Sequence, residues 1–209
     1  MDYLNYKKNE DYFTTGFKPL IIDDYLPKEE YGNLYHTLMG QEMEWNFEKT
    51  VDYIEDEKFM FTHLFWTPKL GQVSKIWDRI KLLIEDLKPQ VLIKIKANLQ
   101  TKTKDHIENN FHYDHELVGS RLSDGTLISY TAIYYVNTNN GYTLFEDGNC
   151  KVDCVGNRMI IFDSSKLHKS ISSTDQKTRV VINFNYFTSL YNSTNQAELS
   201  KKLFKQANA

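Results

Sequence analysis

Cysteine is nearly missing from this chain: Cys150 and Cys154 are the only two in 209 residues. With no second pair elsewhere, they match neither the zinc-ribbon spacings nor a disulfide framework. Two reduced thiols are the expectation. Long apolar runs are missing too, the longest falling far short of a membrane span, so no membrane partner is expected. The opening "MDYLNYKKNEDYFTTG" has no apolar h-region, so no signal peptide is expected. The cytoplasm is then the default location, which makes the "NST" at Asn192 a chance match. Charge of one sign is not in excess either. Lys and Arg number 25 against 28 Asp and Glu, a net of −3. No basic field and no Lys/Arg run interleaved with aromatics point to nucleic acid.

What is present is an ordinary globular balance, 41% hydrophobic and 25% charged, in a chain long enough for one buried core. The two halves read differently. In the first, "KPLIIDDYLP" reads as a strand ending in a turn, and "PKEEYGNLYHTLMG" as a helix with a start at Pro27 and a stop at Gly40. "KFMFTHLFW" reads as a strand. In "LGQVSKIWDRIKLLIEDLKP", Val73, Ile76, Trp77, Ile80, Leu83 and Ile84 recur at offsets of 3 and 4, which predicts one amphipathic helix ended by Pro89.

From Val91 the pattern turns to strands: "VLIKIKANLQ", "SYTAIYYVN", "GYTLFED", "CKVDCV", "NRMIIFD" and "TRVVINFNYF". Asn140-Gly141, Asp147-Gly148 and Gly156-Asn157 predict tight reversals with positive φ between them. Short strands at this spacing argue for a sandwich or small barrel. No linker or repeat divides the chain, so one domain over 1–209 is expected. Helices and strands of 1–90 would support a β core over about 91–188, and 189–209 would form a tail with a terminal helix.

The densest chemistry lies in "NNFHYDHE". An H-x-[D/E] triplet is a weak signal, and two occur, His106-Ile-Glu108 and His112-Tyr113-Asp114. On a strand, alternate side chains share a face, so His112 and Asp114 could grip one ion while Tyr113 points away. His106 sits in a polar stretch and reads as solvated; His115 and Glu116 read as outer or surface groups. A third ligand must come from downstream, where the only histidine after His115 is His168, in "FDSSKLHKSIS". Two histidines and one carboxylate make a facial triad with open positions, suited to Fe(II) rather than thiolate-bound zinc. The blander alternative stands beside it: His112 buried and hydrogen-bonded, His168 capping a turn.

The last strand adds weight to the metal. In "TRVVINFNYF", Val180, Ile182, Phe184 and Tyr186 form an apolar face; Arg179, Val181, Asn183 and Asn185 form the other. If that second face lined an interior, it would need a polar occupant, and a guanidinium suits a carboxylate. The alternative is a solvated face. In "SYTAIYYVN", Thr131, Ile133 and Tyr135 share a face that could set the Tyr135 hydroxyl beside Arg179.

The ordered set H-x-D, "TAIYYVN", "NGYTLFEDG", "LH" and "TRVVINF" resembles the 2-oxoglutarate- and Fe(II)-dependent oxygenases, in particular the prolyl-hydroxylase-like branch and small phage-encoded members. It covers roughly residues 90 to 188. The resemblance implies a mainly β fold with buttressing helices, built on a double-stranded β-helix, or jelly-roll. It implies His112, Asp114 and His168 as iron ligands, and Arg179, eleven residues past His168, as the partner of the far carboxylate of 2-oxoglutarate. Tyr135 is similar to the tyrosine bonded to that same carboxylate, and Asn183 falls near the cosubstrate. Asp114 stands where halogenating relatives have a small residue, which implies hydroxylation or a related oxidation. Gly141-Tyr142 departs from the Gly-Gly pair usual in prolyl hydroxylases, which puts a prolyl substrate in question.

The activity so implied is dioxygenase chemistry with Fe(II), O2 and 2-oxoglutarate, and ascorbate as a reductant. Succinate and CO2 would be formed, and a peptide residue (proline included) or a small molecule hydroxylated. A phage-encoded chain would act in the host cytoplasm. Asn98 or Lys96 could reach the cosubstrate. "TVDYIEDEKF" and "TKTKDHIENN" are expected as mobile lids. Two rivals remain at this point: a cupin-like metal enzyme with no need of Arg179, and a non-catalytic jelly-roll of binding or structural role.

Overall fold

A computed structural model describes residues 17–41, 43–51, 58–117, 121–122, 127–147 and 150–189. In chain order the elements are β1 (Leu20–Ile22), α1 (Lys28–Leu38), β2 (Asn46–Glu48), β3 (Met60–Thr67) and β4 (Gly71–Gln72). A 3-10 turn (Trp77–Arg79), α2 (Lys81–Leu87), β5 (Val91–Thr101), β6 (Arg121–Leu122), β7 (Leu127–Tyr135) and β8 (Tyr142–Phe145) follow. The chain then forms β9 (Lys151–Asp153), β10 (Arg158–Asp163), β11 (His168–Ile171) and β12 (Thr178–Ser189).

The strands make two antiparallel sheets. The larger runs β1-β10-β7-β12-β5-β3-β2, with β4 beside β3 and β6 beside β7; the smaller runs β11-β8-β9. Period-2 alternation divides the long central strands between two cores. Val180, Ile182, Phe184 and Tyr186 of β12 join Ile95 and Ala97 of β5 and Ala132 and Tyr134 of β7 on the outer face. There they meet Leu34 and Leu38 of α1 and Leu83 and Leu87 of α2. The opposite face sends Ile133, Tyr135, Ile160, Phe162 and Val181 against Phe145, Val152 and Cys154, a second core between the sheets. This is the jelly-roll expected from the sequence, helices buttressing one sheet. Among the described residues no helix is long and apolar enough to cross a membrane.

Three expectations are corrected. The long helix over residues 70–89 is broken, because Gly71–Gln72 pair with β3 and the Val73 amide then donates to the Phe65 carbonyl. The Ser74 hydroxyl then accepts from the Ile76 amide and pairs with His63 Nε2 at 2.8 Å. Only Lys81–Leu87 is α-helix, and it stops at Lys88 with φ 47°. The turn glycines Gly141 and Gly156 do not take positive φ; Asn157 does, at 64°, while Gly148 lies outside the described residues. Gly141 serves close approach instead, since a Cβ there would meet Ile171 O at 2.7 Å and Arg179 Cδ at 3.0 Å.

The third correction concerns "TKTKDHIENN". It is pinned along β11 rather than free: the Thr103 and Asn109 amides donate to Ser173 and Ser170 carbonyls, and Ser172 N to Ile107 O. The Ser172 hydroxyl also accepts from the Ile107 amide at 2.8 Å. Of the other expected lid, residues 52–57 lie outside the described residues, as do residues 190–209 of the expected terminal helix.

Candidate metal and anion site

Between the sheets lies a cavity of about 230 Å³, walled by Lys94, Lys96, Asn98 and Gln100 of β5, Val181 and Asn183 of β12, and Thr143, His168 and Ser170 of the smaller sheet. Its polar wall follows from strand parity. Ile95 and Ala97 are spent on the helix-side core, so the residues between them must face inward.

His112, Asp114 and His168 converge on this cavity, with one ligand atom from each within 4.8 Å of the others. His112 Nε2 stands 3.9 Å from Asp114 Oδ1, and His168 Nε2 3.8 Å from Asp114 Oδ2. The backbone does the positioning: His112 and His168 are partners in an antiparallel bridge. His112 Nδ1–H donates to Asn110 O at 3.0 Å and His168 Nδ1–H to Lys166 O at 3.1 Å. Both imidazoles are thereby held in the tautomer whose free lone pair is on Nε2, the atom that faces Asp114.

Asp114 is oriented from below. Asn183 Nδ2 donates to Oδ1 and Asn185 Nδ2 to Oδ2, each at 3.2 Å. Burial by itself would raise this carboxyl, but the two imidazoles, Lys94 and the Asn185 amide outweigh it and hold the group at about 2. The carboxylate is therefore ionised at neutral pH. Burial pushes the His168 ring down, against the pull of Asp114, which favours the neutral, ligating form. Two imidazoles and a carboxylate, with the cavity on the open side, suit Fe(II). No thiolate competes, since Cys154 Sγ accepts a hydrogen bond from Arg179 Nε at 3.1 Å.

Arg179 is buried at 3% exposure and lines the same cavity. Nη2 donates to Thr143 Oγ1 at 3.2 Å. Tyr135 OH donates to that same oxygen at 2.8 Å. With both lone pairs of Thr143 so engaged, its own O–H is left to donate into the cavity. Among the described residues Arg179 forms no salt bridge, although a buried cation needs a counter-charge.

The six residues singled out from the sequence thus divide. His112, Asp114, His168 and Arg179 meet at one cavity, and Asn183 reaches it while gripping the Asp114 carboxylate. Tyr135 lies in the apolar core beside it, its hydroxyl committed to Thr143. His115 is turned away: Nδ1 accepts from the Leu117 amide and Nε2–H donates to Ser129 Oγ at 3.2 Å. His106 is exposed and donates to Ser172 O at 2.7 Å. Sequence reasoning missed the roles of Thr143 and of Asn185, which also donates to Thr131 Oγ1 at 3.1 Å. Asn185 was legible as part of the polar face of β12; nothing local marks Thr143.

No protein-family model and no curated protein matches this chain. Solved structures do. The epimerase SnoN from nogalamycin biosynthesis superposes with a TM-score of 0.54 at 13% identity, over 80% of this chain and 77% of that one. A prolyl hydroxylase of Trichoplax adhaerens, bound to a hypoxia-inducible-factor peptide, gives 0.54 at 13% identity over 90% and 89%. The viral collagen prolyl hydroxylase of Paramecium bursaria Chlorella virus 1, in a 2-oxoglutarate complex, gives 0.51 at 14% identity over 82% and 96%. These likenesses establish the fold.

Proposed function

We propose that this chain is a 2-oxoglutarate- and Fe(II)-dependent dioxygenase that hydroxylates a residue of a peptide or protein, proline among the candidates, or a small molecule. The observation that carries the reading is the pairing of a His112–Asp114–His168 face with a buried guanidinium, Arg179, in one cavity. A cupin-like metal enzyme would need the first and not the second. The metal and the cosubstrate are also those of neighbours in fold: SnoN is described with Fe3+ and alpha-ketoglutarate, the viral hydroxylase with 2-oxoglutarate.

When bound, the iron would supply the activation of O2 by which 2-oxoglutarate gives succinate and CO2 and a substrate C–H bond is oxidised, ascorbate serving as reductant. The chain supplies position. His112 and His168 present Nε2 lone pairs whose direction their Nδ1–H bonds fix. Asn183 and Asn185 hold one carboxylate oxygen each, so Asp114 cannot rotate away. Arg179 spends Nε on Cys154 and one Nη2–H on Thr143. Its remaining N–H groups form a fork for the distal carboxylate of the cosubstrate, completed by the Thr143 hydroxyl.

Anaerobic visible absorption tests this directly. Fe(II) and 2-oxoglutarate together should give a charge-transfer band in the wild type that weakens or vanishes in Arg179→Ala. Folded, iron-loaded protein without such a band would overturn the 2-oxoglutarate reading in favour of a metal enzyme that does not use it.

A further inference from the structure

Once the proposed cosubstrate is placed, one cation of the cavity remains without a partner. The two charges of the metal would be met by Asp114 and the near carboxylate of 2-oxoglutarate, and Arg179 by the far one. Lys96 is left over. It lines the cavity, and among the described residues it makes no hydrogen bond and no carboxylate lies within ion-pairing distance of it. The acids that act on it are Asp114, engaged by the imidazoles and asparagines, and Glu48 on exposed β2. Burial and the neighbouring Lys94 both disfavour its charge. Lys94 differs, because its Nζ donates to the Asp114 carbonyl at 2.9 Å.

Register places Lys96 at the level of the metal rather than of the cosubstrate anchor. Lys96 pairs with Asn183, which holds Asp114, whereas Arg179 pairs with Gln100. Four residues of strand separate the two levels, about 13 Å. The carbon chain of 2-oxoglutarate is four bonds, about 5 Å at full stretch. The far carboxylate of a cosubstrate held by Arg179 therefore does not reach Lys96, which stands at the metal end of the cavity, where a substrate bond must lie to be oxidised.

We propose that Lys96 receives an anionic group of the primary substrate, a carboxylate or a phosphate, so that this chain oxidises acidic substrates at a position next to that group. The assignment rests on the 2-oxoglutarate reading above. An unpaired, half-buried ammonium selects against neutral substrates because it would stay uncompensated beside them.

Matched probes test it on the anaerobic Fe(II)–2-oxoglutarate complex: N-acetyl-aspartate amide against N-acetyl-asparagine amide, and N-acetyl-phosphoserine amide against N-acetyl-serine amide. Binding is read by calorimetry and by displacement of the charge-transfer band. At least one acidic probe should bind about tenfold or more tightly than its neutral partner, and which pair responds tells carboxylate from phosphate. Lys96→Met should abolish the preference and Lys96→Arg should keep much of it. Affinity for 2-oxoglutarate should change by less than about threefold in Lys96→Met, against a much larger loss in Arg179→Ala. Acidic and neutral probes behaving alike, whether all bind or none does, overturns the proposal. So does a loss of 2-oxoglutarate affinity in Lys96→Met as large as that in Arg179→Ala, which would make Lys96 a cosubstrate anchor. If the wild type forms no band at all, the underlying reading has failed instead.

Discussion

His112 and His168 face each other across an antiparallel bridge, their backbones exchanging hydrogen bonds of 3.0 and 3.3 Å. Two proposed metal ligands are therefore fixed by main chain that no side-chain substitution removes. His168→Ala should abolish Fe(II) binding by the folded protein, read by calorimetry with Fe(II) or Mn(II). Unfolding should show a loss of about 1–3 kcal/mol, because the ring also packs on Phe145 and Phe162. Retained metal affinity would remove His168 from the ligand set.

Asp114 depends on the amides beneath it. Asn185→Ala takes away the donor to Oδ2 and leaves Thr131 unpaired. Metal affinity should fall about 10- to 100-fold, as for other groups that orient a ligand. Asn185→Asp should be worse, since a second carboxylate would repel the first.

Thr143 and Tyr135 invite a contrast. Thr143→Val removes the hydroxyl shared by Arg179 and Tyr135 and should weaken 2-oxoglutarate about tenfold, near 1.4 kcal/mol. Tyr135→Phe should change it less than about threefold, because its hydroxyl is committed to Thr143 rather than to the cavity. Equal losses would mean that both hydroxyls reach the ligand.

Gly141→Ala tests the close packing behind Arg179. The added methyl would lie 2.7 Å from Ile171 O, 2.8 Å from Asn139 Oδ1 and 3.0 Å from Arg179 Cδ. Overpacking of this kind costs about 1–3 kcal/mol, so the melting temperature should drop and 2-oxoglutarate affinity fall with it.

Metal-free protein should lose stability as pH falls from about 7 toward 5. His168 and His115 are both held below the ordinary histidine value, by burial first. The unfolded chain then binds more protons than the folded one in the window between the folded values and about 6.5, so stability rises with pH there. Asp114, held at about 2, has the same sign, with its stabilising contribution lost only as pH falls through that value. His168→Gln should flatten the decline measured by thermal unfolding between pH 5 and 7.

The sequence by itself determined the strands, their two faces and the chemistry each face would carry, because period-2 alternation is a local property of an extended chain. Val180 to Tyr186 and Arg179 to Asn185 fall on the sides that their alternation predicts. Local pattern failed where a tertiary partner claimed the chain: Val73 fits the helical spacing, yet its amide bonds to Phe65 of β3, and the next residue, Ser74, pairs with His63 of the same strand. It failed likewise at "TKTKDHIENN", whose polar composition hides a strand-like run beside β11. Only the tertiary structure decided that His168 opens a strand opposite His112, 56 residues away in sequence. It also turned the Tyr135 hydroxyl to Thr143 and left Lys96, an ordinary lysine in the sequence, facing the cavity at the level of Asp114. Register across strands distant in sequence sets such relations, and no local pattern encodes them.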